Sequence, residues 1–378
     1  MLQYILHRLR GDKVIWLVIF LIAMVSLLGV YTGAGSPALS AAHGTEYYLI
    51  KHFLLLAFGF LVMFLVHRFD YRLFAKFSDI FLYLTIPVLV FTLFFAEEKN
   101  DASRWLYIGG FSFQPSDMAK VALMIYLAKL LTKKQEVIRD FKQGFLPALF
   151  WITLICLLIA PADLSTASLL FVTSMCILFV AGVDLKYIGG LVAVGALSLV
   201  MLFQVSGRAD TWMSRWDDYV ASWTDPDYEP QHQVLQAYGA MANGGAIGVG
   251  PGKSTQRSYL ANGTSDMIYP LITEEMGTVG AVVVLLLYLV LLFRTVGIVT
   301  MSKTFGALLA AGLAFLLVFQ ALANMAVAVG IFPVTGLPLP MLSMGGTSIL
   351  FTGFALGVIL SVSRTALEDK KELKGGLA

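Results

Sequence analysis

The sequence predicts an all-α protein that crosses a membrane ten times and carries a large outer loop between its seventh and eighth helices. Of its 378 residues, 58% are hydrophobic and 13% are charged, whereas a soluble domain has about 45–50% apolar and about 25% charged residues. The apolar residues occur in runs close to the roughly 20 residues that a membrane helix needs. Because no water-soluble fold of this size can bury so much apolar surface, we expect an integral membrane protein.

Ten apolar segments predict the spans of a single domain, residues 1–378. They are residues 14–31, 47–66, 80–96, 117–131, 145–160, 166–182, 187–205, 276–293, 305–332 and 346–362. The fourth segment is short and contains Lys120, but charged loops flank it on both sides. Basic residues precede the first segment as they would precede a signal peptide. The nine spans that follow favour an uncleaved membrane anchor.

The positions of lysine and arginine predict the orientation of these spans. With both termini in the cytoplasm, most of the 26 lysines and arginines fall on cytoplasmic segments. The outer side holds only Lys51, Lys99, Arg104, Arg208, Arg215, Lys253 and Arg257. Residues 206–275 then form a long outer loop. Long ordered loops usually carry function, so we expect the active site on the extracytoplasmic side.

Several functional classes are excluded at this stage. A net charge of +2 argues against a nucleic-acid-binding protein, because such binding is driven by positive charge. Cys156 and Cys176 lie in apolar runs, and the five histidines have no metal-ligand spacing, which argues against disulfides and a zinc centre. The glycine-rich segment 243–254 lacks Walker spacing, so we expect no nucleotide.

Asp266 is the leading candidate for chemistry. It lies just before the predicted eighth span, and Glu274 and Glu275 follow it. Carboxylates at the mouth of a membrane helix are costly unless they are paired, hydrated or bound to a cation. Thr273 with the two glutamates also fits a helix N-terminus, where acidic residues are favourable. No helix clearly begins at Asp266, which is therefore a candidate general base or cation ligand.

Two outer segments carry further charged candidates. Asp117 and Lys120 are three residues apart and share a helix face. They form either a structural ion pair or, through Lys120, a contact for a lipid-linked pyrophosphate. Ser116 is predicted to cap this helix. Asp163 is predicted to cap the sixth span, with a binding role as the alternative.

Two uncharged or glycine-rich segments complete the outer side. Segment 243–254 fits a tight turn next to the membrane, or a site where backbone amides, Lys253 and Arg257 approach an anionic headgroup. Segment 332–348 has no charge and contains three prolines. Irregular backbone at membrane depth is tolerated only where it is buried or lines a cavity. The segment is therefore either a wall of a groove for a lipid tail or a packed re-entrant connection.

Five motifs, in this order along nearly the whole chain, resemble the SEDS family of peptidoglycan polymerases, the FtsW/RodA group. They are Arg104-Trp105 with Gln114-Pro115-Ser116; Asp163-Leu164 with Thr166; Gln233 and Gln236; Asp266 with Glu274-Glu275-Met276-Gly277; and Gly336-Leu337-Pro338-Leu339-Pro340 with Ser343 and Gly345-Gly346. The opening Gly11-Asp12-Lys13-Val14-Ile15-Trp16 resembles the division branch, FtsW, more than RodA.

The resemblance implies an enzyme of the cytoplasmic (inner) membrane that polymerises lipid II into glycan strands on its outer face, for the septal wall of dividing cells. It implies that Asp266 occupies the essential aspartate position. Together with the charges noted above, it predicts substrate contacts at Arg104, Lys120, Asp163, Arg215, Gln233, Gln236, Lys253, Arg257, Glu275 and Ser343. Expected partners are lipid II, glycan linked to undecaprenyl pyrophosphate, membrane lipid, a class B penicillin-binding protein transpeptidase and other divisome proteins.

A mechanism follows as a hypothesis. A sugar hydroxyl of lipid II attacks the anomeric carbon of the growing strand, and Asp266 accepts its proton or binds a divalent cation, Mg²⁺ or Mn²⁺. Lys120, Arg215, Lys253, Arg257 or the cation stabilises the departing pyrophosphate.

Two alternatives stay open: a lipid II flippase, and a scaffold for the transpeptidase. The nearly charge-free inner halves of the spans favour an outer-face enzyme over a flippase. A scaffold would leave Asp266 unexplained.

Overall fold

The chain is α-helical through most of its length in a computed structural model that describes residues 10–95, 105–108, 111–205, 209–260 and 263–375. The helices of these residues are α1 (Lys13–Ala34), α2 (Pro37–His43), α3 (Thr45–Val66), α4 (Arg72–Phe95), α5 (Pro115–Lys133), α6 (Leu146–Ile159), α7 (Leu164–Ala181), α8 (Leu185–Val205), α9 (Ala209–Thr224), α10 (His232–Gly244), α11 (Ile268–Val299), α12 (Thr304–Ala328) and α13 (Gly346–Gly375). Short 3₁₀ turns at Gln135–Val137 and Gln256–Ser258 and a π-helical turn at Phe141–Phe145 join them.

Eight helices in the described part of the chain are long and apolar enough to cross a membrane: α1, α3, α4, α6 with its π-helical turn, α7, α11, α12 and α13. The all-α membrane fold is therefore confirmed. Helices α5 and α8 lie where the other two spans are predicted. However, α5 carries Asp117 and Lys120, and the apolar part of α8 is the shorter segment Leu185–Met201. The total of ten spans stays a prediction.

Three helices have bounds that differ from those of the predicted spans. The eighth span was expected at 276–293, but α11 begins at Ile268 and continues through a break at Gly277, where φ is +68°. The ninth was expected to reach residue 332, but α12 ends at Ala328. Gly330 follows the cap with a φ of +76°, and a glycine in this left-handed conformation commonly ends a helix. The tenth was expected to end at 362, but α13 continues through a charged stretch to Gly375.

Helix caps follow the sequence in part. Asp163 accepts the backbone N–H of Thr166 at the start of α7, as predicted. Ser116 does not cap α5, because Gln114 occupies the N-cap and Pro115 stands at the first helical position. Proline suits that position because its missing N–H would have no helical partner. A two-stranded hairpin, β1 (Leu106–Ile108) and β2 (Phe111–Phe113), precedes α5 and was not predicted.

The centre of the bundle is formed by α12 and α13, whose apolar windows are each 72% buried, against 28% for α3 and α4. Helix α12 packs against α5, α7 and α11, and α13 packs against α3. The α3–α13 contact is close because a Cβ on Gly353 would lie 2.5 Å from the carbonyl oxygen of Gly59. The outward faces of α3 and α4 carry exposed phenylalanines and leucines, as expected for surfaces in contact with lipid. Cys156 and Cys176 are unpaired.

Candidate active site

Asp266 lies in a turn, residues 263–267, that leads into α11. Three consecutive carbonyls of this turn accept hydrogen bonds. Thr264 accepts from the backbone N–H of Met344 at 2.8 Å, Ser265 from the hydroxyl of Ser343 at 2.6 Å, and Asp266 from the amide of Asn324 at 2.7 Å. The Asp266 side chain is partly exposed. The turn thus holds its backbone rigidly and leaves the carboxylate accessible.

Two of these donors, Ser343 and Met344, belong to the proline-rich segment 332–345, which is itself held by side chains from the surrounding helices. The Asn324 amide also donates to the carbonyl of Leu337 at 2.7 Å, and the Gln320 amide donates to that of Pro338 at 2.7 Å. The Tyr288 hydroxyl donates to the Pro340 carbonyl at 2.6 Å. Residues 339–343 of this irregular backbone are buried, and the hydrogen bonds fix its shape.

Lys120 forms an ion pair with Asp117, as the spacing of the two residues predicted. Its Nζ lies 2.8 Å from Asp117 Oδ1 and donates to Gln320 Oε1 at 3.0 Å. Lys120 and Asp117 are only 5% and 3% exposed, so both groups are held inside the protein. Since Gln320 also holds the Pro338 carbonyl, the pair is connected to the proline-rich segment.

Asp163 lies close to the start of α5. Its carboxylate accepts from the backbone N–H and the hydroxyl of Thr166, at 3.0 and 2.9 Å. The side chain is 2% exposed, and it lines the same small cavity as Pro115 and Ser116. The structure therefore brings two of the predicted motifs together at one place.

The glycine-rich segment is a tight turn that completes the break in α11. Val249 and Gly250 donate their backbone N–H groups to the carbonyls of Glu274 and Glu275, each at 3.0 Å. In the opposite direction, Thr278 N–H donates to the carbonyl of Gly245 at 2.9 Å. The loop thus provides partners for the helix groups that the break leaves unpaired. The glycines allow this close backbone approach, because a Cβ on Gly248 would lie 2.1 Å from the carbonyl oxygen of Glu275.

The two glutamates hold this loop against α11. Glu274 is fully buried and accepts from Thr255 N–H at 3.1 Å, from Thr255 Oγ1 at 2.9 Å and from the Ser254 hydroxyl. Glu275 accepts from the Thr32 hydroxyl and from the N–H of Gly252. The expectation that the glutamates cap the start of a helix is wrong, because α11 begins six residues before Glu274 and the loop supplies their donors.

The two basic residues of the loop differ in their surroundings. Lys253 is exposed. Arg257 is half-buried and donates to the carbonyl of Gly252 at 3.0 Å.

A large apolar cavity of about 1070 Å³ opens between α7, α9, α12 and the proline-rich segment. Leu337 and Val334 form one wall, and Trp212 and Arg215 of α9 form another. The Arg215 guanidinium donates to the carbonyl of Val334 at 3.4 Å. Because Asn324 binds the carbonyls of both Leu337 and Asp266, this cavity lies next to the Asp266 turn. Its size and lining suit an isoprenoid chain.

Gln233 and Gln236 lie on α10, three residues apart and both half-buried, and α10 packs against α11. Tyr238 follows on the same helix, and burial raises the pKa of its phenol, so this group stays neutral at physiological pH. Arg104 lies outside the described residues. The structure therefore describes nine of the ten predicted substrate-contact residues. Of these, Ser343 contacts the Asp266 turn, Lys253 and Arg257 lie on the glycine-rich loop, and Glu275 binds that loop.

The fit of a divalent cation depends on Asp266 alone. In the described ranges, no group of three or more histidine, cysteine, aspartate or glutamate side chains could hold a metal ion. Mg²⁺ often keeps several waters and binds one or two carboxylates together with substrate phosphates. A single accessible carboxylate fits that mode and does not fit a cage made of protein ligands.

Several polar residues around the turn were not found from the sequence: Ser26, Thr32, His52, Tyr288, Gln320 and Asn324. The available signal was a polar side chain within an apolar span, which is costly in a membrane and usually functional. The spacing of Gln320 and Asn324, four residues apart on one face of a span, was the clearest such signal.

Known proteins resemble this chain along most of its length. The chain matches the FtsW/RodA/SpoVE family, described as cell cycle proteins, over residues 12–368. It is 34% identical over 359 residues to the probable peptidoglycan glycosyltransferase FtsW of Geobacter sulfurreducens, which covers 94% of this chain and 95% of that protein. It is 30% identical over 358 residues to the stage V sporulation protein E of Bacillus subtilis, and the match covers 93% of this chain and 97% of that protein.

Two solved structures share the fold. The first is a chain from a structure that describes how a peptidoglycan synthase complex coordinates polymerization and crosslinking. It aligns with a TM-score of 0.73 at 26% identity, over 94% of this chain and 98% of that one. The rod shape determining protein RodA of Thermus thermophilus aligns with a TM-score of 0.68 at 26% identity, over 94% and 97%. These matches confirm the family that the motifs indicated: this multi-pass membrane protein belongs to the FtsW/RodA/SpoVE family.

Proposed function

We propose that this protein is a peptidoglycan glycosyltransferase that polymerises lipid II into glycan strands on the outer face of the cytoplasmic membrane, in septal wall synthesis. The names of its relatives support the activity. The observation that carries the proposal is the position of the Asp266 turn, which shares the Asn324 amide with Leu337 in the wall of the apolar cavity. The turn that carries the proposed base thus lies next to a space suited to a lipid tail.

In this proposal, Asp266 is the general base. It accepts the proton of the lipid II sugar hydroxyl as that oxygen attacks the anomeric carbon of the growing strand, and the bond to undecaprenyl pyrophosphate breaks. A positioned base contributes about 10²–10⁴-fold to such a step. The three hydrogen bonds to the turn's carbonyls support this role, because they hold the carboxylate in one place before the substrate binds.

The departing pyrophosphate requires positive charge. We assign the nearest contact to Arg215, because it lines the cavity, and further contacts to Lys253 and Arg257 on the neighbouring loop. The charge of Lys120 is balanced by Asp117, so its effect on the pyrophosphate is weaker. Charge stabilisation at a developing anion is commonly the largest single contribution to catalysis.

The other predicted contacts fall into two groups, those proposed to bind substrate and those whose side chains hold the loop or the turn. Arg104, Asp163, Gln233 and Gln236 remain proposed substrate contacts. Glu275 and Ser343 act indirectly in our proposal, because the Glu275 carboxylate holds Gly252 and Thr32, and the Ser343 hydroxyl holds Ser265. They position the loop and the turn that face the substrate.

A divalent cation, Mg²⁺ or Mn²⁺, is part of the proposal. Asp266 would hold it together with water and the substrate pyrophosphate. Such an ion supplies charge stabilisation to the leaving phosphate oxygens.

We further propose that both termini are cytoplasmic, with the active site on the outer side. The partner we expect is a class B penicillin-binding protein transpeptidase within the divisome. A chain of the same fold occurs in a peptidoglycan synthase complex, which supports an assembly of this kind.

The test is gel-resolved polymerisation of labelled lipid II by the purified protein, with and without the partner carrying an inactivated transpeptidase serine. Asp266→Asn is the test variant. Asp227→Asn, an exposed aspartate of the outer loop, is the matched control, and EDTA tests the cation. We expect strands from the wild type and from Asp227→Asn, and none from a folded Asp266→Asn.

Two results would overturn the proposal. Equal polymerisation by Asp266→Asn would remove this residue as the base. No strands from any preparation, even with the partner, would favour a flippase or a scaffold instead. Activity that survives EDTA would remove the cation and leave the rest intact.

A further inference from the structure

A buried histidine and serine from two other helices reach the proline-rich segment. The Ser26 hydroxyl of α1 lies 2.6 Å from His52 Nε2 of α3 and donates to the Leu342 carbonyl at 2.6 Å. Ser26 and His52 are both 0% exposed. Polar groups this deeply buried are costly unless they are hydrogen-bonded, and the proposed function assigns no role to either residue.

The direction of these hydrogen bonds follows from the number of protons. Ser26 has one hydroxyl proton, and the Leu342 carbonyl can only accept, so that proton lies between Ser26 and Leu342. His52 must then donate through Nε2–H, which fixes the tautomer with a bare Nδ1. His52 Nδ1 is buried and has no hydrogen-bond partner, which is consistent with the absence of a proton there. The relay runs from His52 through Ser26 to Leu342.

Leu342 lies at the most constrained point of the proline-rich segment. Its neighbour Met341 has a φ of +63°, the one positive value among the non-glycine residues that the structure describes. A non-glycine residue in this region is strained and persists only where its surroundings hold it. The next two residues, Ser343 and Met344, bind the carbonyls of Ser265 and Thr264 in the Asp266 turn.

We propose that His52 and Ser26 are positioning residues for the reaction: their relay holds Leu342, and through Ser343 and Met344 it fixes the Asp266 turn. The inference rests on the proposed function, because Asp266 is taken as the base. No contact between the relay and substrate is involved. Loss of the relay lowers the turnover of bound substrate and leaves substrate binding nearly unchanged, since a misplaced base affects the transition state more than the ground state.

A pair of histidine variants separates hydrogen bonding from packing. The amide nitrogen of glutamine in His52→Gln can occupy the place of Nε2 and donate to Ser26. The shorter asparagine in His52→Asn places its amide near Nδ1 and cannot reach Ser26. Ser26→Ala removes the relay from the other side. Thr85→Val is the matched control, because Thr85 is equally buried and bonds only within its own helix, to Phe81.

The experiment combines polymerisation kinetics, with the partner present, and hydrogen–deuterium exchange of the peptide covering residues 337–346. In His52→Asn and Ser26→Ala we expect kcat to fall about 10-fold or more, with KM within about 2-fold. Faster exchange is expected at the amides of Leu339 and Met344, which bond to Ser343 Oγ and Thr264 O. His52→Gln should stay near the wild type in both measurements, as should Thr85→Val.

Three results would overturn the proposal: unchanged kcat in a folded His52→Asn, equal losses in His52→Gln and His52→Asn, or unchanged exchange in both His52→Asn and Ser26→Ala. A failure of the proposed function looks different, because the wild type itself would then make no strands. The exchange measurement does not depend on activity, so it still tests whether the relay holds this segment.

Discussion

The side-chain amide of Asn324 donates a hydrogen bond to the backbone carbonyl of Asp266, at 2.7 Å. The same nitrogen donates to the carbonyl of Leu337, also at 2.7 Å. One buried side chain on the central helix α12 thus joins the candidate catalytic turn to the wall of the apolar cavity. Since Asn324 lies on a well-packed helix, its position is fixed by the core and not by the loops.

Replacing Asn324 should therefore reduce catalysis. In Asn324→Asp the side chain keeps its shape but loses both donors, and its carboxylate faces two carbonyls. We expect kcat for lipid II polymerisation to fall by roughly 10–100-fold, because a shift of about 1 Å in a catalytic group can cost 100-fold. Thr173→Val is the control, since this buried hydroxyl bonds only to Leu169 in its own helix. Wild-type kcat in a folded Asn324→Asp would show that the turn does not depend on this amide.

Alanine substitutions at two glycines, one in the glycine-rich loop and one on α8, should change the free energy of unfolding in opposite directions. In Gly248→Ala, a Cβ would lie 2.1 Å from the carbonyl oxygen of Glu275, at a φ of +91°. In Gly189→Ala, on α8, the Cβ would meet no atom within 4 Å. We expect Gly248→Ala to lower the free energy of unfolding by at least about 1–3 kcal/mol. Gly189→Ala should raise it by about 0.5–1 kcal/mol, because alanine favours a helix.

Thermal melting of the two variants in the same detergent measures this contrast. Equal melting temperatures for Gly248→Ala and the wild type would mean that the loop does not pack against the break in α11 as the structure has it.

The fold was largely predictable because hydropathy and charge report directly on the membrane environment. Long apolar runs located the helices, and the spacing of Asp117 and Lys120 predicted their ion pair. The break at Gly277 was not predictable, because it depends on backbone hydrogen bonds with a distant loop, in which Gly245 accepts and Val249 and Gly250 donate. The local sequence around Glu274 and Glu275 indicated the start of a helix. In the structure both residues lie within α11, and their carboxylates accept hydrogen bonds from the glycine-rich loop.

The candidate site was predicted in its parts but not in its connections. Asp266 and Ser343 were both named from the sequence, but the bond that joins Ser343 to Ser265 depends on the folded path of the proline-rich segment. Ser26 and His52 were overlooked because a single serine or histidine in an apolar span has no spacing to compare. Their proposed role depends on the hydrogen bonds that join His52 to Ser26 and Ser26 to Leu342, and these depend on the folded structure.

Glu274 should control the protease resistance of the loop that it holds. Its carboxylate binds Ser254 and Thr255, between the two trypsin sites at Lys253 and Arg257. In Glu274→Ala these donors lose their acceptor, so local opening becomes easier. We expect trypsin to cut after Lys253 and Arg257 at least several-fold faster. Glu229→Ala, at an exposed glutamate, is the control, and an unchanged cleavage rate in Glu274→Ala would contradict the assignment.

Substitutions at Lys120 test the two roles that the sequence left open, a structural ion pair and a contact for the lipid-linked pyrophosphate. Lys120→Met leaves the Asp117 carboxylate buried at 3% exposure without its cation, and breaking such a pair typically costs about 3–5 kcal/mol. Adding Asp117→Asn should restore most of the melting temperature, because the double variant holds no unpaired charge. Lipid II polymerisation by this stable double variant then separates the roles. Activity that recovers with stability would assign Lys120 a structural role, whereas activity that stays low would show that its positive charge also acts on the substrate.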